Sequence, residues 1–267
     1  MNWRTQCAAI IPCVNEEATI GALVAAVRDQ VETVLVVDDG SKDHTAAVAR
    51  RAGAEVIRRE CCGGKGAALQ IGWQRAHNCA FPWALMLDGD GQHSPEDIPA
   101  FFHRAEATGA ALIVGNRMVD AARMPWLRRH VNQWMSRRLS LASGRQLPDS
   151  QCGFRLMDLG AWTRVPLRTR HFEIESELLH GFIAAGQVVE FVPIRVIYKN
   201  EQSKICPLRD TVRWFHWWTT RIYSARELAV SAPRSGNSKV TFPSSSITSS
   251  AENGRPALEM NLLKRSV

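Results

Sequence analysis

Two carboxylates one residue apart, Asp88 and Asp90, close an apolar run in the stretch Trp83-Ala-Leu-Met-Leu-Asp88-Gly-Asp90-Gly-Gln92-His93. Acidic groups this close repel each other unless a cation lies between them, and hard oxygen donors favour magnesium or manganese over zinc. Glycines at 89 and 91 allow a sharp turn and a close ligand approach. Ser94-Pro95-Glu96-Asp97 reads as a helix start, with Ser94 as N-cap and Pro95 at the first helical position. The pair is therefore expected at the carboxyl end of a buried strand, where open α/β sheets bind ligands. An isolated Asp-x-Asp is more often a solvated turn. The apolar run before this one, and the glycines, Gln92 and His93 around it, favour the metal.

Elements that position these acids follow from periodicity. Cys7-Ala-Ala-Ile-Ile-Pro-Cys13 reads as a first buried strand, and Asn15-Glu16-Glu17 charges the start of a helix to about Asp29. Thr33 to Val37 is a second strand, which also ends in acids, Asp38-Asp39-Gly40-Ser41. A helix opened by Ser41 or Asp43, a strand over 54–58, a helix from Gly63-Gly64-Lys65-Gly66 to Asn78, the strand to Leu87, a helix to Thr108 and a strand over 110–114 complete the alternation. Near-continuous apolar strands alternating with helices predict an α/β fold with a doubly wound, mostly parallel sheet. Both acidic strand ends then lie on one edge of that sheet, within reach of one ligand.

The pattern changes after Gly115-Asn116-Arg117. Trp126 to Ala142 reads as a helix with Leu127, Val131, Trp134, Met135 and Leu139 on one side and Arg128, Arg129, Arg137 and Arg138 on the others. Residues 148–155 read as a polar loop, followed by an apolar turn. Phe172-Glu-Ile-Glu175 leads into a helix ending near Gly186, and 188–198 is a strand that Pro193 places at an edge. Arg209 to Arg226 is a second cationic helix, its stripe formed by Val212, Phe215, Trp218 and Ile222 with Trp214 and Trp217 beside it. Residues 1–230 are expected to form one catalytic domain. Residues 231–267, dominated by Ser, Thr, Pro, Gly and Asn, are expected to be a disordered tail.

Composition narrows the partners. The net charge of +7 favours anions such as phosphates, nucleotides or a lipid surface. Seven cysteines without a C-x-x-C pair fit a reduced, cytoplasmic protein. The N-terminus lacks the long apolar core of a signal peptide and no apolar run reaches ~18 residues, so neither a leader nor a spanning helix is expected. No dinucleotide fingerprint follows the first strand, where Pro12-Cys13-Val14-Asn15 stands, and the glycines around Lys65 lack the spacing of a P-loop. A Rossmann dehydrogenase and a P-loop ATPase are both disfavoured.

The order Ile11-Pro12-Cys13-Val14-Asn15-Glu16, then Val36-Val37-Asp38-Asp39-Gly40-Ser41, then Asp88-Gly-Asp90-Gly-Gln92-His93-Ser-Pro95-Glu96 resembles family 2 glycosyltransferases of the GT-A fold, most closely the dolichol-phosphate mannosyltransferase-like branch. Gly115-Asn116-Arg117, Asp149-Ser-Gln-Cys-Gly153-Phe154-Arg155 and Tyr198-Lys-Asn-Glu201-Gln-Ser203-Lys204 continue the likeness across residues 7–225. The resemblance implies a nucleotide-sugar site at the strand carboxyl ends. Pro12, Asn15, Glu16, Asp38 and Asp39 would hold base and ribose, with Lys65 near the nucleotide. Asp88 and Asp90, assisted by Gln92, would hold Mg2+ or Mn2+ on the diphosphate, and Arg117 would meet phosphate at the reaction centre. Arg128 and Asn132 match the acceptor-phosphate position, loosely because a small hydroxyl residue is commoner than Asn there, and Ser203 and Lys204 are further acceptor candidates.

The expected activity is inverting sugar transfer from a nucleotide-sugar to a polyprenyl phosphate, by an enzyme held peripherally on the inner face of the membrane. A phosphate acceptor is already ionised and needs orientation more than a base. A hydroxyl on glycan, lipid or protein would need a carboxylate base, for which Asp149 is the candidate, although a loop-capping Asp is the commoner reading. A sugar-phosphate nucleotidyltransferase would want a Gly-rich basic loop after the first strand, and this chain has none. A non-catalytic nucleotide-sugar binder would lack turnover. Nucleic acid is disfavoured, because paired carboxylates repel phosphates without a metal. Competing bland readings are solvation for Lys65, a surface ion pair for Arg117, packing for His93 and Cys152, and core burial for the tryptophans.

Overall fold

The computed structural model describes residues 1–197 and 207–223. One seven-stranded sheet runs in the order β3 (Glu55–Arg58), β2 (Thr33–Asp38), β1 (Cys7–Cys13), β4 (Trp83–Met86), β6 (Arg155–Asp158), β5 (Leu112–Asn116), β7 (Val189–Pro193). All neighbours are parallel except β6, which is antiparallel to both β4 and β5. β1 is buried at every position, as expected of a central strand covered on both faces. β3 and β7 are the edges, and Pro193 ends β7 where no further strand needs its missing N–H.

The helices are α1 (Trp3–Gln6), α2 (Ile20–Arg28), α3 (Thr45–Arg51), α4 (Lys65–Asn78), α5 (Ile98–Thr108), α6 (Trp126–Ser143), α7 (Leu159–Trp162), α8 (Ile174–Ala184) and α9 (Pro207–Trp217). Adjacent residues show how they divide. Phe154 stacks on Phe101 of α5, whereas Arg155 reaches the Glu175 carbonyl of α8, so α5 and α8 cover opposite faces of the sheet. α4 packs beside α8 and α2 beside α3.

Several expectations change. Residues 155–158 are a strand rather than a turn; four residues with charged ends carry too short a pattern to read. The helix expected from Asn15 begins at Ile20, because Asn15 takes a left-handed conformation, φ 51°, inside a turn. Ser94 stands at the expected helix start, but its side chain makes no capping bond. Arg117–Arg123 forms a 3-10 turn. The buried side of α6 is Asn132, Met135, Ser136 and Leu139, whereas Leu127 and Trp134 are exposed. Along α9 and the turn after it the stripe is half right: Ile222 is buried and Trp218 packs on the core, but Trp214 and Trp217 also enter the core while Val212 and Phe215 face outward. Tyr198, residues 224–226 of the expected helix and the expected tail 231–267 lie outside the described residues.

Candidate active site

The site gathers at the carboxyl ends of β1, β2, β4 and β5. Past β4, the Leu87 amide still bonds to the Ile10 carbonyl, and the chain then turns through Asp88-Gly89-Asp90. Gly89 lies against β1: a Cβ there would stand 2.9 Å from the Cys13 Cβ. Its carbonyl accepts the Thr19 hydroxyl at 2.8 Å, which ties the loop after β1 to the acidic turn. His93 is buried, stacked on Phe154 at 5.2 Å, and its Nδ1 accepts the Asp88 amide at 3.3 Å. That contact favours the packing reading of His93: the ring holds the strand end, and burial lowers its pKa.

Asp88 does not face Asp90 alone. Lys65, the first residue of α4, places its Nζ 2.5 Å from Asp88 Oδ1 and 2.6 Å from Glu175 Oε1. Burial alone would raise the Asp88 carboxyl, but Lys65 and then His93 outweigh it and hold the group well below the ordinary carboxylate range. Asp90 moves the other way, pushed up by burial and by the Asp88 charge, although the Gln92 amide donates to its Oδ1 at 3.0 Å. Two hard oxygen donors, one of them destabilised by its neighbour, suit a divalent cation that would relieve the repulsion. Among the described residues no group of three His, Cys, Asp or Glu stands together to hold a metal. Magnesium commonly binds with one or two carboxylates and completes its shell with substrate phosphates and water, so the residues present fit a cation that arrives with a diphosphate.

The ends of β1 and β2 form the adjoining wall, with Pro12 in register with Val37 and Cys13 with Asp38. Asp38 is fully buried; its Oδ1 accepts the Ser41 amide at 2.9 Å while its Oδ2 has no hydrogen-bond partner. That oxygen lies 3.6 Å from Arg58 Nε, an ion pair beyond hydrogen-bond geometry, so it keeps capacity for a ligand donor. Asp39 is engaged within the protein: it pairs with Arg59 and accepts the Gly63 and Gly64 amides, the latter at 2.8 Å. It therefore shapes the loop leading to Lys65. The Asn15 amide donates to Ser41 Oγ at 2.9 Å, its Oδ1 accepts the Lys42 amide at 2.8 Å, and the Glu16 amide donates to Thr45 Oγ1 at 2.7 Å.

Arg117 and Asp149 meet each other. Nε and Nη2 of Arg117 donate to the two Asp149 oxygens at 2.7 and 2.8 Å, and the Arg117 amide adds a third bond. Burial would raise Asp149, but the guanidinium prevails and holds it down to about 2. The loop-capping reading of Asp149 fits, since it also accepts the Gln151 amide, and a general base does not: its carboxylate is fully buried and already bonded. Asn132 donates to Asp149 at 3.0 Å and accepts from Ser136, so it too is committed inside the protein and supports Arg117 rather than presenting a free amide. Arg128, one turn earlier on α6, is half-buried. Ser203 and Lys204 lie outside the described residues.

Three contributors escaped the sequence reading. Glu175 opens α8 and grips Lys65. Arg155 is buried and donates to the carbonyls of Ser150, Cys152 and Glu175, fixing the loop that carries Asp149. Gly153 lies against the ion pair, where a Cβ would stand 2.7 Å from Asp88 Oδ1. The signal available was a buried-type arginine in a short apolar stretch and an acid at a helix start. Cys152 is buried with its thiol pushed up to about 12, which bears out its structural reading.

This architecture, with acids at two parallel strand ends and a basic helix start between them, is the GT-A arrangement. Residues 8–161 match the profile described as Glycosyl transferase family 2, and the chain belongs to that family. An uncharacterized protein of Methanocaldococcus jannaschii is 30% identical over 195 residues, 71% of this chain and 80% of its own. A UDP-N-acetylglucosamine–dolichyl-phosphate N-acetylglucosaminyltransferase of Methanococcus voltae is 28% identical, covering 71% of this chain and 84% of its own. Among solved structures, glucosyl-3-phosphoglycerate synthase of Mycobacterium tuberculosis, in complex with Mn2+, UDP and glucosyl-3-phosphoglycerate, superposes with a TM-score of 0.64 at 20% identity over 82% of this chain and 80% of that one.

Proposed function

We propose that this glycosyltransferase moves a sugar, with inversion, from a nucleoside-diphosphate donor to a polyprenyl phosphate at a membrane surface. The observation that carries the donor half is the meeting of Asp88, Asp90 and Lys65 at the end of β4, one strand from the buried Asp38 oxygen near the end of β2 that accepts no hydrogen bond. Asp38 would receive a donor hydrogen from the base or ribose. Asp88 and Asp90 would hold the divalent cation, which neutralises charge building on the departing diphosphate. Lys65 adds a positive charge near the diphosphate, and Arg117, locked by Asp149, contributes positive potential without swinging free.

A phosphate acceptor fits the absence of an available base at Asp149. Such an acceptor is ionised at neutral pH and attacks once oriented. Arg128 is the cation best placed by sequence to orient it, with Ser203 and Lys204 as partners. The dolichyl-phosphate substrate of the Methanococcus voltae relative supports the same class of acceptor.

The test is nucleoside diphosphate release from a panel of nucleotide-sugars with Mn2+, with and without a short-chain polyprenyl phosphate. We expect release to rise at least tenfold with the lipid phosphate for one donor. Equal stimulation by a simple glycan and none by the lipid would transfer the proposal to a hydroxyl acceptor.

A further inference from the structure

Lys65 presents a contradiction for a metal site. Its ammonium sits 2.5 Å from Asp88 Oδ1, on the carboxylate that must receive the divalent cation. An ammonium and a divalent cation repel each other and cannot share that oxygen. The ammonium also has a second hold, 2.6 Å away on Glu175 Oε1. Glu175 is buried in the first turn of α8, and its Oε2 has no hydrogen-bond partner. On the opposite side the backbone at Gly153 closes on the pair, since a Cβ there would stand 2.8 Å from Lys65 Nζ. The side chain of Lys65 is 14% exposed, so its amine has few places to go.

We propose that Lys65 is a built-in counter-cation for Asp88 which the divalent cation displaces, and that Glu175 is the positioning residue that retains the displaced ammonium beside the donor diphosphate. This rests on the reading of Asp88 and Asp90 as the metal site. Only the end of the lysine has to swing, because Glu175 already holds it. Displacement leaves the ammonium with one carboxylate in place of two, and an arriving diphosphate supplies the missing negative charge. Metal and diphosphate therefore favour each other's binding, and by linkage the favour is mutual. Without donor, Asp88 stays paired and the metal is held weakly.

The experiment measures Mn2+ binding to the full chain by the electron paramagnetic resonance signal of free Mn2+, with no nucleotide present. Wild type, Lys65→Met, Glu175→Gln and the double variant Lys65→Met/Glu175→Gln are compared, each with and without Asp90→Asn, and folding is checked by circular dichroism. Removing the competing ammonium should tighten Mn2+ binding on the order of tenfold in Lys65→Met, a change of ~1.4 kcal/mol. The double variant, which leaves no uncompensated Glu175 charge, should show the same tightening. Glu175→Gln alone should bind more weakly than wild type, because the ammonium then rests on Asp88 alone; a merely structural Glu175 would leave the affinity unchanged. Equal affinity in wild type and both Lys65→Met proteins overturns the displacement while leaving the metal site standing. Binding that is indifferent to Asp90→Asn in every background removes the metal site, and the displacement with it.

Discussion

Asp149 and Asp90 are both carboxylates near the same strand ends, yet their surroundings push them in opposite directions. Asp149 is held down to about 2 by Arg117, against ~3.9 in an unfolded chain. A lowered folded value adds stability that is complete above the unfolded value and is lost as pH falls from ~4 towards 2. Urea unfolding from pH 7 to 3 should therefore show a steeper loss in wild type than in Asp149→Asn. At pH 7 the same variant should be less stable by about 3–5 kcal/mol, because it strands a buried guanidinium. Asp90 is destabilised by Asp88, so Asp90→Asn should keep or raise the melting temperature while turnover falls by two orders of magnitude or more. A large drop in melting temperature would show that Asp90 is structural. Asp39 is a case where geometry revises an expectation drawn from position. Its bonds to Arg59, Gly63 and Gly64 mean that Asp39→Ala should lower the melting temperature as well as nucleotide affinity, both measurable in one titration series followed by scanning fluorimetry.

At the scale of elements, what the sequence revealed and what it hid have separate causes. Long apolar runs made β1, β2 and β4 legible, and acids at their ends followed directly, because a strand's carboxyl terminus is fixed by where its hydrophobic run stops. β6 and its loop were hidden, since Arg155 looks like a surface residue until three carbonyls are found around its guanidinium. Glu175 was hidden for the same reason: its partner Lys65 is distant in sequence and no local pattern joins them. The α6 face was misjudged because its buried side is partly polar. Asn132 and Ser136 belong to a chain of bonds running from Arg117 and Asp149 through Ser136, Ser150 and Gln151 to Ser176, which accepts the Trp214 indole N–H of α9 at 2.8 Å. Ser176 is the junction of α8 and α9, so Ser176→Ala leaves two donors without an acceptor. It should cost about 1–3 kcal/mol in denaturant unfolding. Valine at the same place would add bulk and tell less.

At the scale of the whole molecule, the acceptor proposed above would have its tail in a bilayer, which the protein surface would have to meet. Among the described residues no helix is long and apolar enough to cross a membrane. The two helices that flank the Arg117 network instead expose apolar side chains: Trp126, Leu127 and Leu141 on α6, Val212 and Phe215 on α9. Trp134 of α6 meets Trp214 of α9 edge to face at 5.4 Å, so the helices are adjacent. Arg129 is half-buried, and Arg137, Arg138 and Arg209 are exposed on the same two helices. Single exposed apolar residues are ordinary, but several on two adjoining cationic helices suit a headgroup region. Each basic residue near an anionic surface contributes on the order of 1 kcal/mol, and the contribution falls with salt. We therefore predict that the protein sediments with vesicles containing anionic lipid at low ionic strength and less so in high salt. Trp126→Glu with Phe215→Glu should reduce that binding and slow transfer to a lipid phosphate. Hydrolysis of the nucleotide-sugar by water should continue, because neither side chain belongs to the donor site. Wild-type protein that stays in the supernatant at low salt would argue for an acceptor delivered in solution, with the exposed face of α6 and α9 left for another use.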